Sequence, residues 1–162
     1  MPLPDRFDLF VRKAQESANP ARQVDLILGA LVAREEVYFI NLGTQQQPLI
    51  AKVAIEPDEC ALVFTDMARI DDFLEAYPSM RKVSADTSPV IISPIVAALT
   101  WCRDNKTGLM INPGGEAAPM IPTAELATFV EQWRARGGRQ SAGFWIPNMT
   151  SEDEDFWQEH GL

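Results

Sequence analysis

Residues Ser88–Gly115 read SPVIISPIVAALTWCRDNKTGLMINPGG, and this stretch decides the fold. Pro89-Val90-Ile91-Ile92 is a short β-branched run, the pattern of a buried strand. Ser93 is placed to cap a helix by accepting from an otherwise orphaned amide, with Pro94 at the first helical position, where a missing N–H costs nothing. Ile95, Leu99 and Cys102 recur at i, i+4 and i+7 and mark one buried helix face. Thr107-Gly108 ends the helix, and Leu109-Met110-Ile111 is the next strand. Asn112-Pro113-Gly114-Gly115 has the residues of a type II turn, with Pro second and Gly third, where φ must be positive.

Toward the N-terminus, Arg81 to Ser88 is polar and is expected to be a surface connection. Before it, Ile70, Phe73, Leu74 and Tyr77 fall at i, i+3, i+4 and i+7, with Thr65-Asp66 as the cap and Tyr77-Pro78 as the stop. Cys60 to Phe64 is a continuous apolar run, as in a central strand covered on both faces, and Pro57-Asp58-Glu59 reads as the turn before it. Glu36 to Leu42 (EVYFINL) is another strand, and Gly43 to Gln47 is a polar connection of hairpin length. Leu49, Ala51, Val53 and Ile55 then alternate with Ile50, Lys52 and Ala54, the period of a returning strand. Two helices open the chain. One carries the stripe Phe7, Phe10, Val11, Ala14; the other is capped by Asn19-Pro20 and carries Val24, Ile27, Leu28 and Leu31.

Toward the C-terminus, Pro119-Met120-Ile121 is expected as a short return strand, and Pro122-Thr123 opens a helix with Leu126, Phe129, Val130 and Trp133 on one face. Gly137-Gly138 stops it, and GGRQSAG has the composition of a flexible linker. Beyond lie Phe144-Trp145-Ile146-Pro147 and an acidic segment in which Ser151 and Glu154 have capping-box spacing. The expected division is one α+β domain over 1–138 and a linker with docking tail over 139–162. The domain holds a mixed β-sheet of about five strands with flanking helices, preceded by the N-terminal helical pair.

At 162 residues, 46% hydrophobic and 23% charged, the composition is that of a soluble globular domain. No apolar run approaches the ~18 residues needed to span a bilayer, and MPLPDRFDLF lacks the features of a secretory signal. Two cysteines, Cys60 and Cys102, argue against a disulfide framework and for a reducing, cytoplasmic setting. A net charge of −9 disfavours nucleic acid and anionic lipid as partners. It also speaks against reading the opening helix pair as a DNA-binding helix-turn-helix.

Catalytic constellations lack their parts. His160 is the single histidine and sits in the tail, so neither a Ser-His-Asp nor a Cys-His arrangement is expected. Two cysteines and one histidine do not make a four-ligand zinc site, and no phosphate-binding glycine motif is present. No metal and no cofactor are expected. Asp66, Asp71 and Asp72 read as a solvated helix face, and Asn112-Pro113-Gly114 as a structural turn able to present amides to a ligand. The tail aromatics Phe144, Trp145, Phe156 and Trp157 are too apolar to stay in water, so they are expected to dock on this chain, a second copy or another protein.

Phe64-Thr65-Asp66 with Arg69 and Phe73, then PVIISPIVAALTWCRDNKTGLMINPGG, then Met120-Ile121-Pro122 and its leucine-bearing helix, resemble the N-terminal domain of the SseB family over roughly Gln23 to Trp133. The resemblance implies an α+β module of unassigned biochemical activity and singles out Asp66, Arg69, Asn112 and Gly114. Longer members carry a second, C-terminal domain where this chain has its aromatic–acidic tail. The expectation is a non-enzymatic, cytoplasmic protein-interaction or regulatory module, its tail mediating self-association, as in a homo-oligomer, or binding of a protein partner. The alternative is a small-ligand-binding protein or enzyme using Asp66, Arg69 and the Asn112 turn.

Overall fold

The computed structural model describes residues 6–56, 58–80, 89–115, 117–135 and 144–160, without the side chain of His160. The connection at 81–88, the Gly137-Gly138 stop and the linker after it lie outside the described residues. The chain forms two compact units, Glu36–Leu126 and the pair Met1–Glu35 with Ala127–Leu162, so the segment after the linker shares a unit with the opening helices.

The sheet unit is α+β with a mixed sheet, as expected. Its strands are β1 (Glu36–Ile40), β2 (Lys52–Ile55), β3 (Asp58–Phe64), β4 (Val90–Pro94), β5 (Gly108–Ile111) and β6 (Met120–Ile121), with helices α3 (Met67–Ala76) and α4 (Ile95–Asp104). The order is β4-β1-β3-β5-β6, with β2 also on β3. β3 is central, antiparallel to β1 and β2 and parallel to β5. Its unbroken buried run Cys60–Phe64 follows from cover on both faces. On one face Ile40, Leu62 and Phe64 meet Ile70 and Leu74 of α3. On the other, Lys52 stands opposite Ala61 and sets its Nζ 5.4 Å from the Trp101 ring centre, which places α4 there.

Within the sheet unit the structure departs from the sequence expectation at four places. Ser93 does not cap α4: it pairs with Val37 inside the ladder, its hydroxyl donates to Pro94 O at 3.0 Å, and Pro94 holds the cap position with no side-chain bond. The strand before α4 is not buried but forms the sheet edge, and Ile92 is 58% exposed. The strand after the polar connection meets β1 only through the Asn41–Ile50 bridge and then ladders on β3, Ile55 opposite Asp58, so Asp58 and Glu59 belong to β3 rather than to a turn. Asn41 Oδ1 closes the intervening loop on itself, accepting from Gly43 N at 2.9 Å and Leu49 N at 3.0 Å. Tyr77 is exposed, its ring against Phe73 rather than in the core.

The helical unit contains α1 (Arg6–Gln15), α2 (Pro20–Val32), α6 (Ser151–His160) and most of α5 (Thr123–Ala135), within which the unit boundary falls. Phe7, Phe10, Val11 and Ala14 of α1 are buried, as their spacing predicts. Asn19 caps α2 by accepting from Ala21 N at 3.0 Å. The cap of α6 is one residue earlier than expected. Thr150 and Asp153 make the reciprocal pair: Thr150 N donates to Asp153 Oδ2 at 3.0 Å and Asp153 N to Thr150 Oγ1 at 3.2 Å. Ser151 lies inside the helix, so it cannot be the cap.

Among the described residues no helix is long and apolar enough to cross a membrane. Cys60 and Cys102 are free and buried, and burial pushes the Cys102 thiol up to about 12. Since the thiolate is the reactive form, a thiol-titrating disulfide reagent at neutral pH should find no rapidly reacting cysteine in the native protein and two after denaturation. Fast native labelling of either would contradict the burial.

Candidate functional site

The carboxyl ends of the parallel neighbours β3 and β5 open at the same end of the sheet, where open α/β sheets bind ligands. Two residues tie these ends together. Asn112 Oδ1 accepts from Thr65 N at 3.0 Å, and Asn112 Nδ2 donates to Thr65 Oγ1 at 3.1 Å. Both residues are buried, at 3% exposure each. Asn112 also donates its own N–H to Val63 O at 2.8 Å, which carries the sheet register into the turn.

The turn then closes as its sequence predicts. Gly115 N donates to Asn112 O at 3.0 Å, and Gly114 takes φ +84°, a conformation open to glycine without strain. Asn112 itself sits at φ 50°, in the left-handed region that asparagine tolerates.

Asp66 caps α3, its Oδ1 accepting from Arg69 N at 2.9 Å, and its Oδ2 accepts from Arg69 Nε at 3.3 Å. That local pair lays the guanidinium toward the turn: a Cβ built on Gly115 would lie 3.4 Å from Arg69 Nη1. Arg69, Asp72, Phe73, Ala76 and Tyr77 of α3 and its end, with residues 112–115, enclose a cleft of about 150 Å³. Phe73 and Tyr77 form one wall, their ring centres 4.8 Å apart.

Arg69, Asn112 and Gly114, singled out by resemblance, therefore meet around one concavity, with Asp66 holding Arg69 from behind. Asp71 is exposed and stands outside the cleft, while Asp72 lines it. Thr65 is the residue that sequence reasoning used as a cap and a motif member but did not place at the site; its bond to Asn112 spans 47 positions and has no local signature. Among the described residues no cluster of three or more His, Cys, Asp or Glu could hold a metal ion. The tail aromatics are elsewhere: Phe144, Trp145, Phe156 and Trp157 pack inside the helical unit on Phe10, Phe129 and one another.

No protein-family model, no curated protein and no solved structure matches this chain.

Proposed function

We propose that this chain is a protein-interaction module of the SseB-like kind that takes an anchoring side chain of a partner protein into the cleft between α3 and the Asn112–Gly115 turn. The size of the cleft carries the reading. Small-molecule sites run to roughly 300–1,000 Å³. A space of about 150 Å³ suits one anchor residue of the kind that dominates protein interfaces. Phe73 and Tyr77 offer that anchor an apolar ledge, while Arg69 and Asp72 set opposite charges beside it.

Binding fits better than catalysis because two of the polar groups at the cleft, Asp66 and Asn112, are committed to holding the fold. Both Asp66 oxygens face Arg69, and the Asn112 amide is bonded to Thr65. Two buried free thiols support a cytoplasmic setting, and the charge of −9 supports a protein partner over nucleic acid.

Affinity capture from native lysate tests this with the wild-type chain and Tyr77→Ala as parallel baits, the substitution falling on a side chain 54% exposed. At least one protein should be retained by the wild type and weakened about tenfold, or ~1.4 kcal/mol, on the variant. Titrating that protein, once purified, should shift amide resonances of α3 and residues 112–115. An identical set of retained proteins on both baits would sink the reading.

A further inference from the structure

Phe10 of α1 is the hub on which the segment 144–160 is seated within the helical unit. Its ring centre lies 5.5 Å from Phe144, 4.9 Å from Phe156 and 5.1 Å from Trp157, while Trp145 lies 5.6 Å from Phe129 of α5. Two cations meet the acidic first turn of α6. Arg22 pairs with Asp153, and Lys13 Nζ is 3.5 Å from Glu152 Oε1. Gly29, inside α2, completes the seat. A Cβ there would meet Trp145 O at 2.9 Å and Phe144 Cε2 at 3.0 Å and collide with the Ile146 side chain. A glycine inside a helix is a poorer helix former than alanine, and the close approach of residues 144–146 is what this one makes room for.

We infer that this face is an exchangeable seat, and that the 144–160 segment of a second copy can take it in place of the chain's own, giving a reciprocally exchanged dimer. The complementarity argues for that occupant. The seat presents two cations to Glu152 and Asp153 and a glycine notch to Ile146, and a second copy brings the identical sequence. Each of these contacts joins the segment to α1, α2 or α5, so a segment supplied in trans reproduces all of them.

The strengths follow from effective concentration. A segment closed in about 99 of 100 molecules at a local concentration near 1 mM binds its seat in trans with a Kd of about 10 μM. In the wild type the chain's own segment competes, so exchange sets in only near ~1 mM.

Two full-length variants expose the difference. Gly29→Leu blocks the seat and keeps the segment, whereas Trp145→Ala/Trp157→Ala weakens the segment and keeps the seat. By sedimentation equilibrium at about 50 μM, each alone should be monomeric and the 1:1 mixture should form a heterodimer about 100-fold tighter than wild-type self-association. A mixture that stays monomeric while both variants keep the wild-type far-ultraviolet circular dichroism overturns the proposal. Should either variant lose that signal, the wild type decides. A dimer that grows as concentration passes through ~1 mM supports exchange, and a monomer throughout overturns it.

Discussion

Replacing Asn112 by alanine should cost the sheet unit about 3 kcal/mol, and three observations set that figure. Asn112 is 3% exposed, so truncation removes the acceptor that the equally buried Thr65 N–H reaches at 3.0 Å. An orphaned buried donor costs about 1–3 kcal/mol. Alanine must also hold φ 50°, where a Cβ adds roughly 1–2 kcal/mol that asparagine's local bonding tolerates. At about 2–4 °C per kcal/mol for a chain of this size, Tm should fall by about 10 °C. Asn112→Gly separates the causes. It relieves the left-handed backbone and still loses the Thr65 bonds, so it should recover only ~1 kcal/mol of the loss. Urea titration gives the total, and amide exchange at Thr65 locates it. An alanine variant as stable as the wild type would remove the tether from the account of the cleft, because Asn112 also accepts from Gly115 N at the base of the turn.

The turn was legible because its chemistry is local. Proline second and glycine third permit few backbones, and the chain adopts the expected one at 112–115. The helical stripes were legible for the same reason: Phe7, Phe10, Val11 and Ala14 repeat every 3.6 residues whatever they pack against. Partners were not legible. A period of two says that Val53 and Ile55 share a face and is silent on which strand lies beside them, so the ladder of β2 on β3 had no signal. Whether a strand is central or at the edge depends on the same unseen neighbours, which is why Ile92 emerges exposed. The candidate site divides likewise. Its motif residues could be picked out, whereas the Thr65–Asn112 bond spans 47 positions, and in the helical unit the Arg22–Asp153 pair spans 131. One signal for the tail's place was present in the sequence: Gly29, a poor helix former in the interior of a strongly apolar helix, marks the point where residues 144–146 come close.

Asp153→Asn should loosen α6 at neutral pH by about 2 kcal/mol and remove much of its acid sensitivity. Burial pushes the Asp153 carboxyl up, but Arg22 and the N–H and O–H of Thr150 outweigh it and hold the group below its ordinary value. Since the folded form ionises more readily than the unfolded chain, near pH 3.9, the carboxylate's stabilisation is fully present at pH 7. It is lost as pH falls through the folded value, so acid releases the helix. Asp25 runs the other way. Burial raises it and Arg22 partly opposes that, so its contribution is present in acid and lost as pH rises, opposite in sign to that of Asp153. Breaking a fully buried pair costs about 3–5 kcal/mol. With the Arg22 side chain 28% exposed, water recovers part of that loss, and about 2 kcal/mol remains. Hydrogen exchange of residues 151–160, followed from neutral pH down to about 3 and corrected for intrinsic rates, reads both effects, with wild-type protection collapsing below about pH 4. The asparagine variant should start less protected and change little. Equal protection and equal pH slopes in the two chains would mean that the aromatic seat on Phe10 holds α6 unaided, and that the ion pair orients the helix without securing it.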